Sequence, residues 1–128
     1  MKKILLISIL NLIIANTSFA NITIWCKGDY EKGSRNGTEF NNKLDISYSE
    51  VMITDTFIKF KNLSSMPVLP RDKKNEDLDY RANQMINLDW DSYTIDRTSG
   101  VLKHFQIRKG FISTAYYNCV SSKPTVKF

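Results

Sequence analysis

Histidine occurs once in these 128 residues, cysteine twice, proline three times and glycine five times. One imidazole and two thiols exclude zinc-finger, histidine-triad and iron–sulfur arrangements, which need more ligands of those kinds. So little proline and glycine excludes collagen-like and linker-like chains. Internal repeats and low-complexity tracts are also missing. The longest apolar run, ILLISILNLIIA at 4–15, is broken by Ser8 and Asn11 and falls short of the roughly 20 residues a membrane helix needs. Lys and Arg number 18 against 13 Asp and Glu, a net charge of +5. The excess is scattered, and the one dense basic spot, Arg71-Asp72-Lys73-Lys74, runs into acidic Glu76, Asp77 and Asp79. Without a basic stripe to neutralise several phosphates, no nucleic-acid partner is expected.

What is present begins with an address. Met1-Lys2-Lys3 gives a positive start, the apolar run follows, and Ser18 and Ala20 stand three and one residues before a cut after Ala20. Those are the parts of a secretory signal peptide. Residues 1–20 are therefore read as a removed signal and 21–128 as a single β domain. No stable membrane insertion is expected after cleavage. Cys26 follows Thr-Ile-Trp rather than small residues, so no lipid anchor is read. The Lys-Lys start and the richness in Ile, Lys and Asn suggest a bacterial source, and the expected location is periplasmic or secreted. At 42% hydrophobic and 12% aromatic the chain is too apolar for disorder.

In an exported chain an even cysteine count reads as a disulfide, and two cysteines allow one intramolecular pairing, Cys26 with Cys119. It would close almost the whole mature chain into one loop, worth about 4–5 kcal/mol in the chain-entropy model. A redox pair would instead be close in sequence, as in CxxC.

The dominant hydrophobic period is two. Ile22, Ile24 and Cys26 alternate with Thr23 and Trp25; Leu44, Ile46 and Tyr48 with Asp45 and Ser47; Ile86, Leu88 and Trp90 with Asn87, Asp89 and Asp91. Tyr93 and Ile95 continue that face, and FISTAYYNCV at 111–120 is rich in β-branched and aromatic residues. Such half-buried strand signals recur about seven or eight times. Asp55-Thr56, Asp96 to Gly100 and Lys109-Gly110 read as short turns. Strands joined by such short links run antiparallel. The expected fold is all-β: a small antiparallel meander closing into a barrel or a sandwich, stapled by one disulfide. Two polar stretches, Gly28 to Asn42 with a turn at Arg35 to Thr38, and Asn62 to Asn75, read as long loops. Glu76 to Met85 reads as a short helical turn.

Few residues suggest chemistry. His104 alternates with Phe105 in mid-strand, and no nucleophile or orienting group stands near it in sequence; it reads as a surface or edge residue. Asp89 and Asp91 share a strand face, about 6.5–7 Å apart. They could form a glycosidase-like pair, but a solvent-facing polar row opposite Ile86, Leu88 and Trp90 is the favoured reading. The calcium-loop glycine and distal glutamate are missing. No catalytic residue, cofactor or metal is assigned. Tyr116 and Tyr117 are adjacent and so face opposite ways, and Trp25 is off-phase with Ile24 and Cys26. Exposed aromatics favour binding.

Tyr93-Thr94-Ile95-Asp96-Arg97-Thr98-Ser99-Gly100-Val101, followed by an aromatic strand ending Tyr117-Asn118-Cys119, resembles a pattern in small exported bacterial proteins of unknown function. In these an Ile-Asp-Arg-x-x-Gly hairpin precedes a last strand whose cysteine pairs with one near the mature N-terminus. The resemblance covers 86–119 and Cys26. It implies fold and compartment, and no activity. The motif reads physically as a turn, with Asp96 accepting from backbone N–H groups, Arg97 able to pair with a neighbouring carboxylate, and Gly100 supplying the exit conformation.

The expected role is non-enzymatic: binding another protein of the envelope or the extracellular space, for instance as an inhibitor of a hydrolase. Arg71, Lys73, Lys74, Trp25 and Tyr116 are the candidate contacts, with 28–42 and 62–76 as contact loops. Two alternatives stand beside it. One is a barrel holding a small apolar ligand among Ile86, Leu88, Tyr93, Ile95 and Phe105. The other is an envelope hydrolase using Asp89 and Asp91.

Overall fold

A computed structural model describes residues 21–74 and 78–124. The signal peptide read at 1–20 lies outside the described residues. Nine strands follow in order: β1 (Ile22–Arg35), β2 (Thr38–Lys43), β3 (Ser49–Ile53), β4 (Phe57–Phe60), β5 (Leu69–Asp72), β6 (Asp79–Ile86), β7 (Asp89–Asp96), β8 (Val101–Arg108) and β9 (Phe111–Val120). All their pairings are antiparallel. One edge of β1 carries β3 and then β2; its other edge carries β9, which closes the ring. Of the two architectures expected, the chain takes the barrel. Closure hides the inner faces and pairs each strand of the ring on both sides over part of its length, while β2 lies outside the ring.

Side chains fill the interior. Val51, Ile53, Ile58, Leu69, Tyr93 and Leu102 are fully buried, and Phe60 packs against Tyr93 and Tyr117 with ring centroids 5.7 and 5.3 Å apart. The two-residue turns Asn36-Gly37, Asn87-Leu88 and Lys109-Gly110 lie at one end, together with the 61–68 segment. Asn36 and Gly37 both have positive φ (50° and 83°), the backbone of a tight hairpin. Leu63 and Met66 pack on the core there, and the Tyr93 hydroxyl donates to the Pro67 carbonyl at 2.7 Å. Cys26 and Cys119 face each other across β1 and β9 and are bonded. A disulfide inside a folded domain points to an oxidising, extracytoplasmic compartment.

Several sequence expectations are corrected. Residues 28–42 are not a loop: β1 runs on to Arg35 and returns as β2. β2 lies outside the ring and has no face toward the core, so it lacks the apolar alternation of a barrel wall. The 62–76 stretch contains β5, and the helical turn read at 76–85 is β6 from Asp79 onward; residues 75–77 lie outside the described residues. The face assigned to Ile86, Leu88 and Trp90 is also wrong. Ile86 and Leu88 are exposed beside the 87–88 turn, and the inward row of β7 is Asp91, Tyr93 and Ile95. The apparent period of two runs straight across a turn, where parity restarts. Phe105 lies on the outer side of β8, so the five residues grouped around a ligand cavity do not share an interior.

A bulge in β1 sets the outer wall. Gly28 pairs with Tyr117 and Tyr30 with Tyr116, which leaves Asp29 as the extra residue. Cys26 and Gly28 point inward before it; Glu31 and Gly33 do so after it, opposite Ala115 and Ser113. The extra residue turns Tyr30 outward.

Candidate functional site

Two groups of residues stand out: a polar network inside the barrel and an apolar, basic wall outside it. The network gathers on β7 and β8 near the turn end. His104 is 1% exposed, neither a surface nor an edge residue as expected. Its Nε2 lies 3.1 Å from Asp91 and its Nδ1 3.1 Å from the Gln106 amide. A carboxylate only accepts, so Nε2 carries the proton and Nδ1 accepts from Gln106. Arg108 donates to Asp91 at 2.7 Å and stands 3.7 Å from Asp89. The two aspartates thus share one guanidinium instead of flanking an open space. Burial lowers the His104 pKa, against the opposing hydrogen bond and charge of Asp91. Burial also raises both interior tyrosines, Tyr117 up to about 12 with help from the Glu31 charge, and Tyr93 further. Both ring nitrogens of His104 are engaged and the ring is sealed from solvent. It has no free position from which to take a substrate proton. Among the described residues no three His, Cys, Asp or Glu side chains stand together as metal ligands.

The outer wall is built by register. Met85, Trp90, Ile107 and Ile112 are successive partners across β6, β7, β8 and β9. Met85 is 60% exposed, Ile112 49%, and Leu88 at the adjoining turn 86%. The next row along the strands is Ser92, Phe105, Thr114, Lys32 and Asn41, and the next Thr94, Lys103, Tyr116, Tyr30 and Lys43. Tyr30 and Tyr116 stack with centroids 4.5 Å apart, and the ammonium groups of Lys32 and Lys103 lie 5.6 and 5.8 Å from the Tyr116 ring. Among the described residues no carboxylate lies within ion-pair distance of Lys32, Lys43 or Lys103. Lysines scattered through the sequence are gathered here onto one face.

The other candidate residues are placed as follows. Trp25, half-buried, is on the same wall as Tyr116, opposite Val120. Arg71, Lys73 and Lys74 are across the ring at β5. Arg71 donates to the Thr54 carbonyl at 2.7 Å and lies over the Tyr80 ring, Lys73 pairs with Asp55, and the Lys74 amide is held by Asp72. The structure therefore separates the five into two groups. In the 96–101 turn the Asp96 carboxylate accepts from the amides of Thr98 (2.8 Å) and Ser99 (3.0 Å), which lower its pKa. The Arg97 guanidinium also lies over the Tyr80 ring, 4.7 Å from its centroid, and Gly100, at φ 75°, accepts the Cys119 amide on its carbonyl. The wall itself was missed in the sequence, because its rows exist only once strand registers are known; the outward placing of Tyr116 was its one local signal.

The class defined by this geometry is a closed up-and-down antiparallel barrel with a core of buried side chains, one disulfide and an extra strand beside the ring. In comparison with known proteins the chain matches no family model, no curated protein and no solved structure.

Proposed function

We propose that the protein is a non-enzymatic, exported binding protein whose partner is another protein, held against the outer wall of β6 to β9 and β1. The observation that carries this is the Met85–Trp90–Ile107–Ile112 row, continuous over four strands, with Met85 and Ile112 exposed and Trp90 and Ile107 half-buried between them. Aromatic residues and Met are enriched at the centres of protein interfaces, and lysine is displaced to their rims. Here the apolar row has Leu88 at its tip and Lys32, Lys43 and Lys103 along its flank. The strands from β6 to β2 span roughly 24 Å at about 4.8 Å each, enough for one side of a standard-size interface. A partner with an acidic border around an apolar centre would fit. The signal-like start and the disulfide support export in a bacterium, to the periplasm or beyond. The filled interior favours an outside surface over a ligand carried within.

The test is a photo-crosslinking residue placed at Ile112, with Leu78 as control. Leu78 is 69% exposed but stands by β6 at the opposite end. In producing cells, Ile112 is expected to give one discrete protein adduct that weakens with Lys32→Glu and Lys103→Glu, and Leu78 none. No adduct at Ile112, or equal adducts at both sites, would overturn the wall.

A further inference from the structure

β2 is the one strand outside the ring. Among the described residues it pairs only with β1, so its far edge is open. The peptide groups on that edge are fixed by the hairpin. Across a two-residue turn, Arg35 and Thr38 form a hydrogen-bonded pair, and such pairs alternate along the ladder. Thr38, Phe40 and Asn42 therefore turn their backbone groups toward β1. The Leu44 amide, bonded to the Asp29 carbonyl at 2.9 Å, continues the same parity. Glu39, Asn41 and Lys43 turn theirs outward.

We propose that this edge joins two copies of the protein, β2 to β2 antiparallel, with Asn41 on the two-fold axis. In that register Glu39 faces Lys43 of the second copy, Asn41 faces Asn41, and Lys43 faces Glu39. All three are positions whose backbone groups point outward. Each such pair exchanges two hydrogen bonds, roughly six in all. Both cross-strand charge pairs are of opposite sign. A charged edge ordinarily repels a second strand. Here one charge of each sign, symmetric about Asn41, repels only the parallel arrangement, which sets Glu39 on Glu39 and Lys43 on Lys43. The pattern therefore selects an isologous pair, which closes at two and does not propagate into a fibre. The dimer adjoins the partner wall at its border and shares Lys43 with it, while Lys32 and Lys103 stay outside the β2–β2 contact.

Sedimentation velocity of the purified protein tests it. The wild type is expected to be dimeric at about 100 µM, and Glu39→Lys and Lys43→Glu each to raise the dissociation constant at least about tenfold. Mixing the two single variants restores opposite charges at both pairs and should give a heterodimer. The double variant Glu39→Lys, Lys43→Glu should dimerise with itself. Circular dichroism checks that each variant is folded. A monomeric wild type overturns the proposal and leaves the edge to a strand of a different protein. So do single variants that dimerise as well as wild type, or a mixture that stays monomeric.

Discussion

His104 is held by a carboxylate on one side and an amide on the other. Protonation would place a second positive charge beside that of Arg108 and require the Gln106 amide to turn its oxygen toward Nδ1. Burial is the largest influence on its pKa and lowers it from 6.5. The unfolded chain takes up the proton near pH 6.5, whereas the folded chain does so only at lower pH. Below about pH 6.5 the unfolded state therefore holds more protons, and stability falls as pH drops toward the folded value. Above about pH 7.5 neither state holds this proton and the contribution is flat. Urea midpoints between pH 5 and 8 should show this slope in the wild type and lose it in His104→Gln. A slope that survives the substitution would belong to the carboxylates instead. His104 could not be placed from sequence, since Phe105 beside it is the more apolar residue and alternation favoured Phe105 for the interior. Its burial is explained by partners distant in sequence, Asp91 above all.

At the level of elements, the strands from Asp89 onward were largely legible, β6 was read as a helical turn, and the strands before Asn62 were legible only in part. From β7 to β9 the turns are short, each strand has a buried face, and period two survives within each element, whereas β6 buries only Ala82 fully and shows no such alternation. Parity failed where a turn reset it, at Asn87-Leu88. β1 was cut short in the reading because Gly28 and Gly33 look like loop residues. They are strand residues at close approaches. A Cβ on Gly28 would lie 2.9 Å from the Ile46 Cβ, and one on Gly33 only 2.0 Å from the Ile112 carbonyl oxygen and 2.7 Å from the Ser113 Cα. The obstacles at Gly33 are backbone, so no rotamer change relieves them. Gly33→Ala must move β1 away from β9 and should cost about 3 kcal/mol. Thermal unfolding would measure it, and hydrogen exchange should show faster amides in 112–116 while β6 and β7 keep theirs. An alanine variant as stable as wild type would mean that the two strands separate here without cost. The candidate wall was no more legible than these registers: its apolar row draws on four strands, and its lysines come from β1, β2 and β8.

For the whole molecule, the ring closes at a single seam between the first strand and the last. Of the other pairings around the ring, β1–β3 steps over β2 and the rest join neighbours along the chain, while β1–β9 joins residues as far apart as Cys26 and Cys119, 93 positions in sequence. Closing that loop carries the largest chain-entropy cost in the fold, and the disulfide removes it from the folding equilibrium. The contribution is about 4–5 kcal/mol by loop length, against a total stability of about 5–15 kcal/mol for a domain of this size. A Cys26→Ala, Cys119→Ala variant should therefore stay folded at room temperature but unfold at a clearly lower urea concentration. The remaining openings should concentrate at the seam, because β6, β7 and β8 are held by hairpins that need no distant partner. Tyr30 and Tyr116 stack across that seam, with Lys32 and Lys103 beside them. Loss of the bond should then weaken partner capture at Ile112 at temperatures where the β6–β7 hairpin is still protected from exchange. Equal loss of protection in β6–β7 and β1–β9 would show instead that the barrel opens as one unit, with the disulfide setting its overall stability and no more.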